Sequence, residues 1–126
     1  MSYDLAVWEG EPPADDQAAL AQFKEYAERY LEGEVVVPVP PTDRIRGYVE
    51  ALLAVYPDLT DDDDDGSPWS TGPLLSEAIG SFIYFPMTWS RYREVSEVSA
   101  RIARVHGLVC FDPQLERLRP IAESVP

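Results

Sequence analysis

Tyr3-Asp4-Leu5-Ala6-Val7-Trp8 decides how the rest of the chain is read. Tyr3, Leu5 and Val7 alternate with Asp4, Ala6 and Trp8, the period-two pattern of a strand with one face against a core. Gly10 and Pro12-Pro13 end that strand. Asp15 or Asp16 then offers a side-chain cap for a helix with acid in its first turn. Its apolar positions are Leu20, Phe23, Ala27, Tyr30 and Leu31, and Gly33 closes it. Residues 34–41 carry Val35-Val36-Val37 and prolines at 38, 40 and 41, which suits an extended connector or a short edge strand.

Thr42 or Asp43 caps a second helix with Ile45, Val49, Leu52, Leu53 and Tyr56 on one stripe, stopped by Pro57. An acidic loop is expected over residues 58–73. Leu74–Ile79 and Phe82–Trp89 read as two strands joined at Gly80-Ser81, and Pro86 marks the second as an edge or a bulge. A third helix carries Val95, Val98, Ile102 and Val105 and ends at His106-Gly107. Leu108-Val109-Cys110-Phe111 is a last buried strand, and residues 114–126 form a tail or an extra edge segment. The order β-α-α-β-β-α-β predicts one α+β domain over residues 1–126. We expect a two-layer sandwich, a mixed or antiparallel sheet with helices on one face, as a ferredoxin-like variant with an inserted helix.

At 126 residues and 45% hydrophobic content, the chain is able to bury a core of ordinary size. No apolar run approaches a membrane span, and the start Met1-Ser2-Tyr3-Asp4 predicts no signal peptide, so a cytoplasmic location is expected. The single Cys110 excludes an internal disulfide and a cysteine-based zinc site.

Charge is distributed very unevenly. Residues 1–66 hold 17 Asp and Glu against 4 Lys and Arg, whereas residues 67–126 hold 6 of each, so the whole net charge of −13 lies in the first half. Such a balance excludes direct nucleic-acid binding, which needs clustered cations, and favours a basic partner. Asp61-Asp62-Asp63-Asp64-Asp65 is the extreme of the split. Asp61, Asp63, Asp65 and Gly66 match the start of an EF-hand loop, but Gly72 stands where its closing glutamate belongs. No cofactor or resident metal is therefore expected, and divalent-cation binding is an alternative. Trp69 follows the run, and reads either as an aromatic anchor of a docking surface or as the plug that holds a long loop to the core.

Enzyme signatures are weak. His106 sits at a helix end, Cys110 lies on a buried strand, and no phosphate loop or nucleophile elbow is present. Arg91, Arg93, Arg101 and Arg104 read as the outer face of the third helix, with Glu94 and Glu97 as local partners. The segments Ser2–Trp8, Asp62–Trp69, Thr88–Ser90 and His106–Gln114 together resemble a family of small acidic proteins of high-GC Gram-positive bacteria. That resemblance implies no particular activity and no catalytic residues. In size, acidity and α+β character the chain is also similar to immunity proteins of polymorphic toxin systems.

The expectation is therefore a non-enzymatic immunity protein that neutralises a basic, nuclease-type toxin domain. Its contacts are expected from Asp61, Asp62, Asp63, Asp64, Asp65 and Trp69, with Glu32 and Glu34 at the rim. The alternative is a small enzyme or ligand-binding domain with a pocket lined by Trp8, Tyr84, Trp89 and Tyr92.

Overall fold

The structure, a computed structural model, describes residues 2–32, 39–59 and 67–119, with the backbone alone at 31 and 32. Five strands, β1 (Ser2–Trp8), β2 (Ala78–Ile79), β3 (Phe82–Thr88), β4 (Val109–Asp112) and β5 (Arg117–Arg119), form one open sheet in the order β2-β3-β1-β4-β5. Every neighbouring pair is antiparallel. It follows that β1 and β2 run parallel with β3 between them, and β3 and β4 run parallel with β1 between them. This is the interlocked crossover of the split βαβ arrangement expected from the element order.

The three helices are α1 (Asp16–Tyr26), α2 (Asp43–Val55) and α3 (Tyr92–Val105). Their ends are set locally. The Asp15 carboxylate accepts from the Ala18 amide at 2.8 Å, and the Thr42 hydroxyl accepts from the Ile45 amide at 3.2 Å, so each start has a capping side chain. α3 ends where Gly107 takes a φ of +70° and Leu108 donates back to the Ala103 carbonyl at 2.9 Å. Only glycine adopts that left-handed turn without strain.

The chain is α+β as expected, and α2 and α3 form the helical layer on one face of the sheet. There, Leu5, Val7, Ile83, Phe85 and Met87 meet Ile45, Val49, Leu52, Val95 and Ala100. α1 does not share that face. It covers the other one, where Trp8, Phe82 and Phe111 meet Ala19, Leu20 and Phe23. The reason lies in β1, whose last four residues are buried on both sides. Ala6 and Trp8 are apolar and need cover as much as Leu5 and Val7 do. α1 continues for six residues as a π-helical turn, Ala27–Glu32, which stacks Tyr30 beside Tyr26 and over Phe82.

Other expectations shift in detail. Leu74–Glu77 is a 3-10 turn, so the expected strand at 74–79 shrinks to Ala78–Ile79. β3 is an interior strand in spite of Pro86. The Pro86 carbonyl accepts from the Ser70 amide at 3.1 Å, so this residue's polar edge faces away from β1 and the missing N–H removes no bond from the β1 ladder. On α3 the buried positions are Val95, Ser96, Ser99, Ala100 and Ala103, whereas Val105 is 83% exposed. Small residues let the helix approach the sheet closely, so its core face is not its most apolar stripe. Residues 114–119 add the turn and edge strand β5, and the expected connector at 34–41 lies mostly outside the described residues.

Candidate functional site

Asp61, Asp62, Asp63, Asp64, Asp65 and Glu34 lie outside the described residues, as does the side chain of Glu32. The flanks of the acidic run are described, and they are firmly tied. Asp58 Oδ1 accepts from the Leu59 amide at 2.9 Å and from the Leu74 amide at 3.0 Å, which closes the loop at its base. A side chain on Gly72 would collide with the Leu59 carbonyl oxygen, so the two sides of the base touch backbone to backbone. On the far flank Thr88 donates to the Pro68 carbonyl at 2.7 Å and Trp69 bridges to Met87, which adds 67–70 to the outer side of β3.

Trp69 is 1% exposed. Its ring stands edge-on to Tyr56 at 5.9 Å and to Phe85 at 5.8 Å. Of its two sequence readings, this burial favours the plug: the indole fastens the flank of the acidic loop to the core. The exposed aromatic at this end of the molecule is Trp89, next to Thr88 and 49% exposed. Trp89 packs on Tyr92 at 4.7 Å, and Tyr92 stacks on Tyr3 at 4.2 Å with ring planes 15° apart. A stacked base of this kind holds an exposed indole in one orientation. The surrounding charges are mixed. The Arg91 guanidinium lies 5.5 Å from the centre of the Tyr56 ring and 3.9 Å from Glu94, and Arg93 lies over Tyr92. Nothing in the sequence separated Trp89 from Trp69, because both follow strand-like or loop residues and only the pairing of 67–70 with β3 decides which one is inside.

The four aromatics of the alternative do not share one pocket. Trp8 and Tyr84 belong to the face covered by α1, with Phe23 stacked on Tyr84 at 5.9 Å, whereas Trp89 and Tyr92 line a separate open cleft of about 510 Å3 at the β3–α3 junction. Trp8 instead lies at the back of a cleft of about 330 Å3 lined by Glu9, Glu11 and Glu25 with Arg29, and Gln22 accepts from its indole N–H at 2.9 Å. Among the described residues the carboxylates of the first half do not gather on one side: this cleft lies by α1, and the Asp58 stem lies beyond α2 on the other face. No group of three or more His, Cys, Asp or Glu among the described residues is placed to hold a metal ion. Cys110 is 2% exposed and burial pushes its thiol up to about 12, which keeps it protonated and unreactive as a nucleophile. His106 stands edge-on to Tyr48. On α3 the exposed pair Arg101–Glu97, at 2.7 Å, matches the expected surface pairing.

Four tyrosines share one electrostatic feature. Burial, and then a hydrogen bond to a carboxylate, raises Tyr3 beside Asp112 and Tyr84 beside Asp4 well above the usual phenol range; the same causes push Tyr56, beside Glu94, up to about 12. Burial raises Tyr48, whose hydroxyl donates to the Ser99 carbonyl at 2.9 Å. All four, and Cys110, bind their protons more tightly folded than unfolded. The unfolded state then loses protons first, from about pH 9 for the thiol and about pH 10 for the phenols, and stability falls as pH rises through that window. We expect the urea midpoint to drop steadily between about pH 9 and pH 12, with a shallower drop in Tyr84→Phe. A flat profile in that range would contradict the assignment.

Comparison with protein-family models, curated proteins and solved structures returns no match. Among the described residues no helix is long and apolar enough to cross a membrane.

Proposed function

We propose that the protein is a cytoplasmic, non-enzymatic binding protein that neutralises a basic partner, in concrete form an immunity protein for a nuclease-type toxin domain. What carries the reading is one juxtaposition. The exposed Trp89–Tyr92 pair adjoins the Thr88–Pro68 bond, and Asp65 is three residues before Pro68 along the chain. An aromatic anchor beside a run of five carboxylates suits a partner with an apolar socket ringed by cations, as a phosphate-binding groove presents. Trp89 thus takes the anchor role first read for Trp69, and Asp61 to Asp65 steer; the turn that ends at Glu32 lies by Phe82, at the opposite end of β3, so Glu32 and Glu34 are not part of this surface. The similarity in type to immunity proteins supports the same reading by analogy alone.

Charge and anchor separate kinetically. Replacing Asp61 to Asp65 by Asn is expected to slow association with the cognate toxin domain by tenfold or more at low salt, with little effect at high salt. Trp89→Ala is expected to speed dissociation by tenfold or more with the association rate almost unchanged. Stopped-flow mixing measures both. An association rate indifferent to the five aspartates would overturn the proposal.

A further inference from the structure

We infer that the chain holds a second binding site, unrelated to the acidic loop: an open cleft of about 420 Å3 that takes a small carboxylic acid with an apolar body. It lies where the β1–α1 loop, the end of α3 and the β4–β5 pair meet. Pro12 and Pro13 come from the loop, Leu108 and Val109 from the junction of α3 and β4, and Leu118 from β5, so three separate parts of the chain supply apolar lining. Its volume is within the range that encloses small molecules.

The charges point to the ligand. In a chain of net charge −13, no carboxylate is among the described residues that line this cleft, and its charged lining is Arg104 and Arg119. Arg119 is committed: it donates to Asp112 and to the Ser96 hydroxyl, each at 3.3 Å, and so acts as a fixed wall. Arg104, in the last turn of α3, is exposed and enters no ion pair among the described residues. One uncommitted guanidinium is matched by one carboxylate, which it clasps through two parallel N–H bonds. A dianionic phosphate would leave its second charge unmatched by one free guanidinium. The apolar lining gives the site its second requirement, since a ligand of two or three carbons leaves that surface wet. A straight-chain acid of about eight carbons meets both conditions within a space of this class.

The site is tested by titrating the full chain with octanoate and following backbone amide shifts. We expect saturable shifts centred on Gly107, Leu108, Val109 and Leu118. Octanamide, neutral but of equal length, and octylammonium are expected to bind at least tenfold more weakly. Arg104→Gln is an exposed change that leaves the core intact, and it is expected to weaken octanoate tenfold or more; Leu118→Trp fills the cleft and is expected to do the same. The variant with Asp61 to Asp65 replaced by Asn is expected to bind octanoate as the parent does, which keeps this site separate from the partner surface. Shifts that spread over the molecule without saturating, equal binding of octanamide, or undiminished octanoate binding by Arg104→Gln would each overturn the inference.

Discussion

Trp69→Ala is expected to destabilise the folded chain by about 3–5 kcal/mol, the range for removing a buried large aromatic. The indole is 1% exposed, is clasped edge-on by Tyr56 and Phe85, and carries the bridge that joins 67–70 to β3. Truncation therefore leaves a cavity between α2 and the sheet and loosens the flank of the acidic loop at once. For a domain of this length the melting temperature is expected to fall by roughly 10–20 °C. The control is Trp89→Ala, which removes a half-exposed ring and is expected to change stability by less than about 1 kcal/mol. Thermal melts of the two variants separate plug from anchor. Equal losses would contradict the burial on which the partner surface rests.

The second large effect belongs to Asp112, a fully buried carboxylate at the end of β4. It accepts from the Tyr3 hydroxyl, from the Gln114 amide at 3.0 Å and side chain at 2.7 Å, from the Leu115 amide at 3.1 Å, and from Arg119 at 3.3 Å. These donors come from β1, the β4–β5 turn and β5, so one side chain fastens three strands. Gln114 also reaches back to both the amide and the carbonyl of Asp4 on β1. Asp112→Ala strands the Arg119 charge, which is 14% exposed, together with four other donors. We expect a loss of about 3–5 kcal/mol, as for removal of one member of a buried ion pair. Asp112→Asn keeps an acceptor oxygen and is expected to lose less than half as much. Chemical denaturation of the two variants checks this, and an alanine variant within about 1 kcal/mol of the parent would show that the cluster adds nothing to the fold.

Local signals in the sequence were legible. The alternation in Ser2–Trp8, the caps Asp15 and Thr42, the stop at Pro57 and the glycine after His106 each act within a few residues, and each stands where the structure has it. The side of the sheet on which α1 lies was present in the sequence too, in the apolar character of Ala6 and Trp8. It was obscured because Asp4 suggested a wet face for the whole strand. The core face of α3 was hidden for a different reason: Ser96, Ser99, Ala100 and Ala103 are chosen for closeness rather than for apolar area, and hydrophobic spacing is blind to that. The sequence puts Trp69 in the acidic loop and Trp89 at the end of a strand, and neither context says which indole is buried. Only the long-range pairing of 67–70 with β3 turns one inward and leaves the other out.

The proposed partner surface requires that the exposed Trp89 indole feel the negative field of the aspartate run. Trp8 and Trp69 are each 1% exposed, so dissolved quenchers reach Trp89 alone. The decisive measurement compares quenching of its fluorescence by caesium and by iodide at low ionic strength, in the parent and with Asp61 to Asp65 replaced by Asn. With each ion's quenching scaled to that of free N-acetyltryptophanamide, we expect caesium to be favoured over iodide in the parent and the replacement to remove that advantage. Scaled iodide quenching equal to or above scaled caesium quenching in the parent would mean that the neighbouring arginines, and not the aspartates, set the field at the anchor, and would overturn the proposed surface.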